Sequence, residues 1–127
     1  FETSVYHLEA AIACLHASAK SFEETDWKNI CFLYEQLYRL QPTSVVALNK
    51  AIASAFANDK QSALKELMQI KGLENYYLYH TSIGEVYYEL NNKTEAKKYF
   101  EKALALTNSK KEQQLLEGKI QNCLEGI

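Results

Sequence analysis

The chain has 127 residues, 47% of them hydrophobic and 24% charged, enough for one ordinary domain and too few for a second core of useful size. Four Gly and one Pro exclude an all-β fold, which at this length needs turn residues every ten or so positions, while Ala, Leu, Glu and Lys fill almost half of the chain and favour helix throughout. Fourteen basic against sixteen acidic side chains, a net charge of −2, exclude a domain that holds nucleic acid mainly through its phosphates.

Helical spacing of apolar residues predicts seven helices. Val5, Leu8, Ile12, Leu15 and Ala19 mark the first, and Trp27, Ile30, Tyr34, Leu37 and Tyr38 the second. The third follows Pro42 with Val45, Leu48, Ile52 and Phe56; the fourth, opened by Asn58 or Asp59, carries Ala63, Leu64, Leu67 and Met68. Tyr76, Tyr79, Ile83, Tyr87 and Leu90 form the fifth stripe, Ala96, Tyr99, Phe100, Ala103 and Leu104 the sixth, and Leu115, Leu116, Ile120 and Leu124 the seventh. Ser109 and Glu112 have capping-box spacing at the start of the last. No apolar run approaches the eighteen or so residues of a membrane span, and the start at Phe1, without Met or a basic leader, reads as that of an excised domain. Cys14, Cys31 and Cys123 lack CxxC spacing, so each is expected as a small core residue in a reducing cytoplasm.

Short polar breaks make neighbouring helices antiparallel hairpins. His80, Ile83, Gly84 and Tyr87 followed by Ala96, Phe100 and Ala103 match the tetratricopeptide repeat (TPR) spacing, in which small residues let two helices approach and large ones fill the space beside them. The pair of Ile and a small residue recurs as Ile12-Ala13, Ile52-Ala53 and Ile83-Gly84. The expected fold is therefore all-α: a single TPR-like α-α superhelix over residues 1–127, with hairpins at about 4–41, 43–71 and 75–107 and a capping helix at 109–125, whose Glu112, Lys119 and Gln121 face outward.

Four stretches add a further resemblance: Tyr6 through Ala13; Thr25-Asp26-Trp27 with Ile30, Leu33 and Tyr34; Pro42 through Ala51; and Tyr77 through His80. Together they resemble the C-terminal TPR-like extension of a subgroup of bacterial extracytoplasmic-function (ECF) RNA polymerase sigma factors, over Tyr6 to about Leu124. The resemblance implies the C-terminal part of a longer protein, a regulatory domain that modulates a sigma factor through contacts with its core domains, RNA polymerase or a regulatory protein. Promoter DNA would be bound by the parent and not by this fragment. Two other readings stand beside it: a free-standing TPR scaffold or adaptor unrelated to transcription, and a helical domain that senses a small ligand.

Aligning the first helices of the three hairpins places Glu9, Asn49 and His80 at one equivalent position, with His16 further along the first helix. Such a set is expected either as a buried hydrogen-bonded ladder, since each unpaired buried group would cost about 1 to 3 kcal/mol, or as part of a pocket. The expected concave surface offers His7, Ala10, Cys14 and Ser18, then Lys50, Ser54 and Asn58, then Leu78, Thr81, Glu85, Tyr88 and Glu89. The partner-binding candidates among these are His7, Lys50, Ser54, Glu85, Tyr88 and Glu89, with Lys50 facing Glu85 and Glu89 either as a solvated ion pair or as a ligand grip. Tyr77 and Tyr88 are expected on an exposed docking face.

Catalysis, a cofactor and a metal site are not expected. His7, His16 and His80 fall in different helices or on different faces, and HExxH, GxSxG and phosphate-loop motifs are absent from the sequence. Lys93, Lys97, Lys98, Lys102, Lys110 and Lys111 interleave with Glu95, Glu101 and Glu112 as on a solvated helix face. The expected partners are proteins, with no membrane.

Overall fold

The computed structural model describes residues 4–20 and 23–125; the expected domain limits at 1 and 127 lie outside the described residues. Among the described residues seven helices follow in order: α1 (Val5–Ser18), α2 (Trp27–Leu40), α3 (Ser44–Ala57), α4 (Lys60–Gln69), α5 (Tyr77–Glu89), α6 (Lys93–Leu106) and α7 (Lys110–Glu125). Among the described residues there is no strand, and no helix is long and apolar enough to cross a membrane.

The helix starts follow local chemistry. Ser4, Asp26, Thr43 and Asn92 each accept a backbone N–H three residues on, from His7, Asn29, Val46 and Glu95, which satisfies donors that the first helical turn cannot pair internally. Thr43 follows Pro42, a residue that disfavours helix before it. Asp59 gathers the Gln61 N–H and the Ser62 hydroxyl at the start of α4. Asn91, at φ 62°, makes the left-handed turn between α5 and α6, a conformation that Asn tolerates better than most side chains. At α7 only half of the capping box forms. The Glu112 N–H donates to Ser109 Oγ at 3.4 Å, but the Ser109 N–H donates to Thr107 Oγ1, and the Glu112 carboxylate stands near the Tyr77 hydroxyl instead.

The chain divides into two compact units, Phe1–Glu66 and Leu67–Ile127, with the division inside α4. In the first, α1 packs on α2 and α2 on α3. Its core holds Leu8 and Ile12 of α1, Ile30, Cys31 and Leu37 of α2, and Val46 and Ala53 of α3, with Trp27, Leu33 and Tyr34 packed against it. Trp27 lies between two further aromatic groups, edge-on to His16 at 5.4 Å and tilted on Phe56 at 4.6 Å between ring centroids.

In the second unit α6 packs on both α5 and α7 around Ala96, Phe100, Ala103, Leu116 and Cys123. Gly84 is buried, and a Cβ there would come within 2.6 Å of the Phe100 ring, so the close approach read from the repeat spacing is steric fact at this crossing. Tyr79 is buried and donates its hydroxyl to the Leu67 carbonyl at 2.6 Å, which ties the end of α4 to α5. Tyr99 stacks between Tyr87 and His80, at 5.6 and 6.1 Å.

Two expectations about burial need correction. Cys14 is exposed, although Cys31 and Cys123 are buried as expected. Ala13, expected as a tight contact point, is also exposed: α1 meets α2 through Leu8 and Ile12, and Ala13 lies beside that contact. The outward placement of Lys119 and Glu112 on α7 is corrected as well, since Lys119 ion-pairs with Glu85 of α5 and Glu112 reaches Tyr77.

Burial pushes the hydroxyls of Tyr34, Tyr79 and Tyr99 and the thiols of Cys31 and Cys123 above their ordinary values. A group whose pKa rises on folding stabilises the folded state fully below its unfolded pKa and loses that contribution as pH climbs through its folded value. The melting temperature should therefore be flat from about pH 7 to 8.5, then fall as pH passes about 9 for the thiols and about 10 for the tyrosines. Scanning calorimetry across that range checks it; a plateau persisting to about pH 11 would contradict it.

Candidate functional site

The first unit contains an open groove of about 520 Å³. One wall is α1, which contributes Glu9, Ile12, Ala13 and His16; the other is the start of α3, with Val45, Val46 and Asn49 and the capping Thr43; Tyr34 and Leu37 of α2 and Gln41, its C-cap, lie between them. Each set follows from helical spacing. Glu9, Ala13 and His16 stand at i, i+4 and i+7, Tyr34, Leu37 and Gln41 at i, i+3 and i+7, and Val45 and Asn49 at i and i+4, so each helix turns one stripe to the groove.

Three of the four residues expected as a ladder or pocket, Glu9, His16 and Asn49, therefore meet here. They are not a buried set: Glu9 and His16 are exposed and Asn49 is half-buried. The buried part of the lining is apolar, from Ile12, Leu37 and Val46, whereas Val45 is 48% exposed on the rim. Burial, and then the nearby Glu9 carboxylate, push the Tyr34 hydroxyl up. His80 belongs to the second unit. Its Nε2 lies 2.7 Å from the Glu74 carbonyl, which can only accept, so Nε2 carries the proton, and Nδ1 is buried without a hydrogen-bond partner.

The other expected residues fall into three places. His7 sits at the start of α1, its Nδ1 2.8 Å from Ser4 Oγ, as part of the cap. Lys50 pairs with Glu66 at 3.5 Å and lies 5.9 Å from the centre of the Tyr38 ring, while Ser54 lies near the Cys31 thiol, whose Sγ accepts from the Asn58 Nδ2–H at 3.9 Å; this is a different face of α3 from the groove. Glu85, Tyr88 and Glu89 come together in the second unit, where with Phe100, Lys119 and Asn122 they line a hollow of about 130 Å³. Lys50 and Glu85 thus each have an ion-pair partner within their own unit, Glu66 and Lys119. Tyr77 and Tyr88 are half-buried rather than exposed, the latter with the Lys93 ammonium 5.5 Å from its ring centre.

Tyr34, Gln41, Thr43 and Val45 were not among the expected site residues. The signal was present in α2, where Tyr34, Leu37 and Gln41 keep one helical face, but Gln41 lies one residue beyond the helix and Thr43 belongs to no apolar stripe. Among the described residues no group of three or more His, Cys, Asp or Glu side chains is placed to hold a metal ion.

The fold is all-α and TPR-like. It is similar over 97% of this chain, and 96% of the other, to the crystal structure of PcrH from Pseudomonas aeruginosa, with a TM-score of 0.70 and 15% identity. In sequence, 108 residues are 39% identical to the uncharacterized protein R00370 of Rhizobium meliloti (strain 1021). That match takes in 84% of this chain and 26% of the relative, so the chain spans about a quarter of the length of the curated protein it matches. No protein-family model matches the chain.

These findings correct the assignment to ECF sigma factors. Neither PcrH, whose likeness speaks to the fold, nor the uncharacterized protein R00370 carries a sigma-factor assignment. A regulatory role in transcription initiation, with sigma core domains or RNA polymerase as partners, is withdrawn. The matched strings are reproduced by helix packing and capping: Ile12 and Ile30 are core, Thr43 is a cap, and Trp27 packs on Phe56.

Proposed function

We propose that this chain is a protein-interaction scaffold or adaptor, and that the groove between α1 and α3 holds a segment of its partner protein. The observation that carries the proposal is the composition of that groove: a buried apolar floor edged by Glu9, His16, Tyr34, Gln41, Thr43 and Asn49, the mix of apolar contact and directional hydrogen bonding by which folded proteins hold peptide segments. The TPR-like fold, shared with PcrH, supports it. Catalysis has no part in this reading. Cys14, Cys31 and Cys123 are free thiols, which suits a cytoplasmic site of action.

Selection of displayed peptides on the folded chain tests it, with Ala13→Trp as counter-screen. Ala13 is exposed on the groove wall, so an indole there fills the groove without entering the core. Selected peptides should bind this variant at least about tenfold more weakly, and Asn49→Ala about threefold to tenfold more weakly. Peptides that bind Ala13→Trp as well as the parent would overturn the proposal.

A further inference from the structure

The groove is one-sided in charge. Among the described residues Glu9 is its only carboxylate, and no Lys or Arg lines it. Glu9 is exposed and takes part in none of the four ion pairs found among the described residues. Its field already reaches the groove, since it helps to push the Tyr34 hydroxyl up. A ligand that brings a cation to this point gains an attraction that no side chain of the groove supplies.

The remaining geometry sets what must accompany the cation. Glu9 and His16 are seven residues apart on one helical face, a rise of about 10 Å, which an extended chain covers in about three residues at roughly 3.3 Å each. Between them stands Ala13, whose small side chain leaves room above the apolar floor of Ile12, Leu37 and Val46. Across the groove the Asn49 carboxamide offers a donor and an acceptor, the complement of a peptide unit, while His16 and Gln41 provide further polar contacts.

We infer that the segment held here is an extended stretch of a partner protein carrying a Lys or Arg beside Glu9 and an aliphatic side chain about two residues away, seated over Ala13. The inference rests on the scaffold reading and adds the chemistry of the partner. Recognition then needs both parts: the aliphatic group supplies contact with the floor, and the cation selects among the many segments that could supply it.

Fluorescence anisotropy with three labelled peptides tests this. They share one sequence around a core of Lys-Ser-Leu, Gln-Ser-Leu or Glu-Ser-Leu. At about 50 mM salt the Lys peptide should bind at least about tenfold tighter than the Glu peptide, and the difference should shrink several-fold at about 0.5 M salt, where exposed charges are screened. Glu9→Gln should remove most of the preference and Glu9→Lys should reverse it, with helical circular dichroism unchanged because Glu9 is exposed. If all three peptides bind alike and all are lost with Ala13→Trp, the charge inference fails while the scaffold reading stands. If they bind Ala13→Trp as well as the parent, the groove is not the site and both fail. Absence of binding by the Lys peptide also overturns the inference, and the scaffold reading is then decided by the displayed-peptide selection.

Discussion

Gly84→Ala is expected to destabilise the protein by about 1–3 kcal/mol, against the usual preference for alanine inside a helix. On propensity alone the change should stabilise by roughly 1 kcal/mol, because glycine loses more backbone freedom on folding than any other residue. Here the new methyl group would lie 2.6 Å from Phe100 Cε1 and 2.7 Å from Cδ1. The ring is 1% exposed and is packed within the core of α6 and α7, so it cannot swing into solvent to relieve the contact. Gly118 supplies the control. It lies on the exposed side of α7, with nothing within 4 Å of a Cβ built there, and Gly118→Ala should stabilise by about 0.5–1 kcal/mol. Urea denaturation midpoints of the two variants should move in opposite directions. Adding Phe100→Leu to Gly84→Ala should cost less than the two single changes summed, because a smaller side chain relieves the clash. A Gly84→Ala protein more stable than the parent would refute the close crossing of α5 and α6.

Ile30→Ala should cost about 2–5 kcal/mol, the range for deleting most of a fully buried aliphatic side chain. Ile30 is 0% exposed and sits in the cluster that joins α2 to Leu8 and Ile12 of α1 and to Val46 and Ala53 of α3. These are the helices whose stripes form the groove. The loss should therefore appear twice, as a lower denaturation midpoint and as weaker peptide binding at a temperature where the variant is still folded. Phe32→Ala is the comparison on the same helix. Phe32 is 55% exposed, and its removal should cost clearly less than that of Ile30. Equal costs for the two would mean that α2 does not turn Ile30 to the core.

Where neighbouring helices impose a steric rule, sequence and structure coincide. Gly84 with Phe100, the buried Ala96 and Ala103, the start of α3 after Pro42 and the helical stripe of α2 were all readable, because spacing and small side chains leave few ways to pack. Other features depend on what lies over a surface, which periodicity does not reveal. The segment of α1 from Ala10 to Ala17 contains four alanines, so its apolar positions run around the helix, and nothing local says that Ala13 and Cys14 stay exposed while Ile12 is buried. The alignment of Glu9, Asn49 and His80 identified polar positions worth attention, but not their surroundings: two of them edge an open groove and the third is held by the Glu74 carbonyl. Lys119 read as solvent-facing because its tie to Glu85 spans 34 residues of sequence. The sigma-factor assignment failed for a different reason. Residues that build a fold are shared by proteins with unrelated roles, so a match carried by core and capping positions speaks to fold and not to function.

The most direct test of the groove as the binding site is amide chemical-shift mapping of isotopically labelled protein during titration with the peptides selected on it. The account predicts that the largest shifts fall on Glu9, Ala13, His16, Tyr34, Val45 and Asn49 and disappear in Ala13→Trp. Shifts centred instead on Glu85, Tyr88 and Lys119, or unchanged by Ala13→Trp, would contradict it.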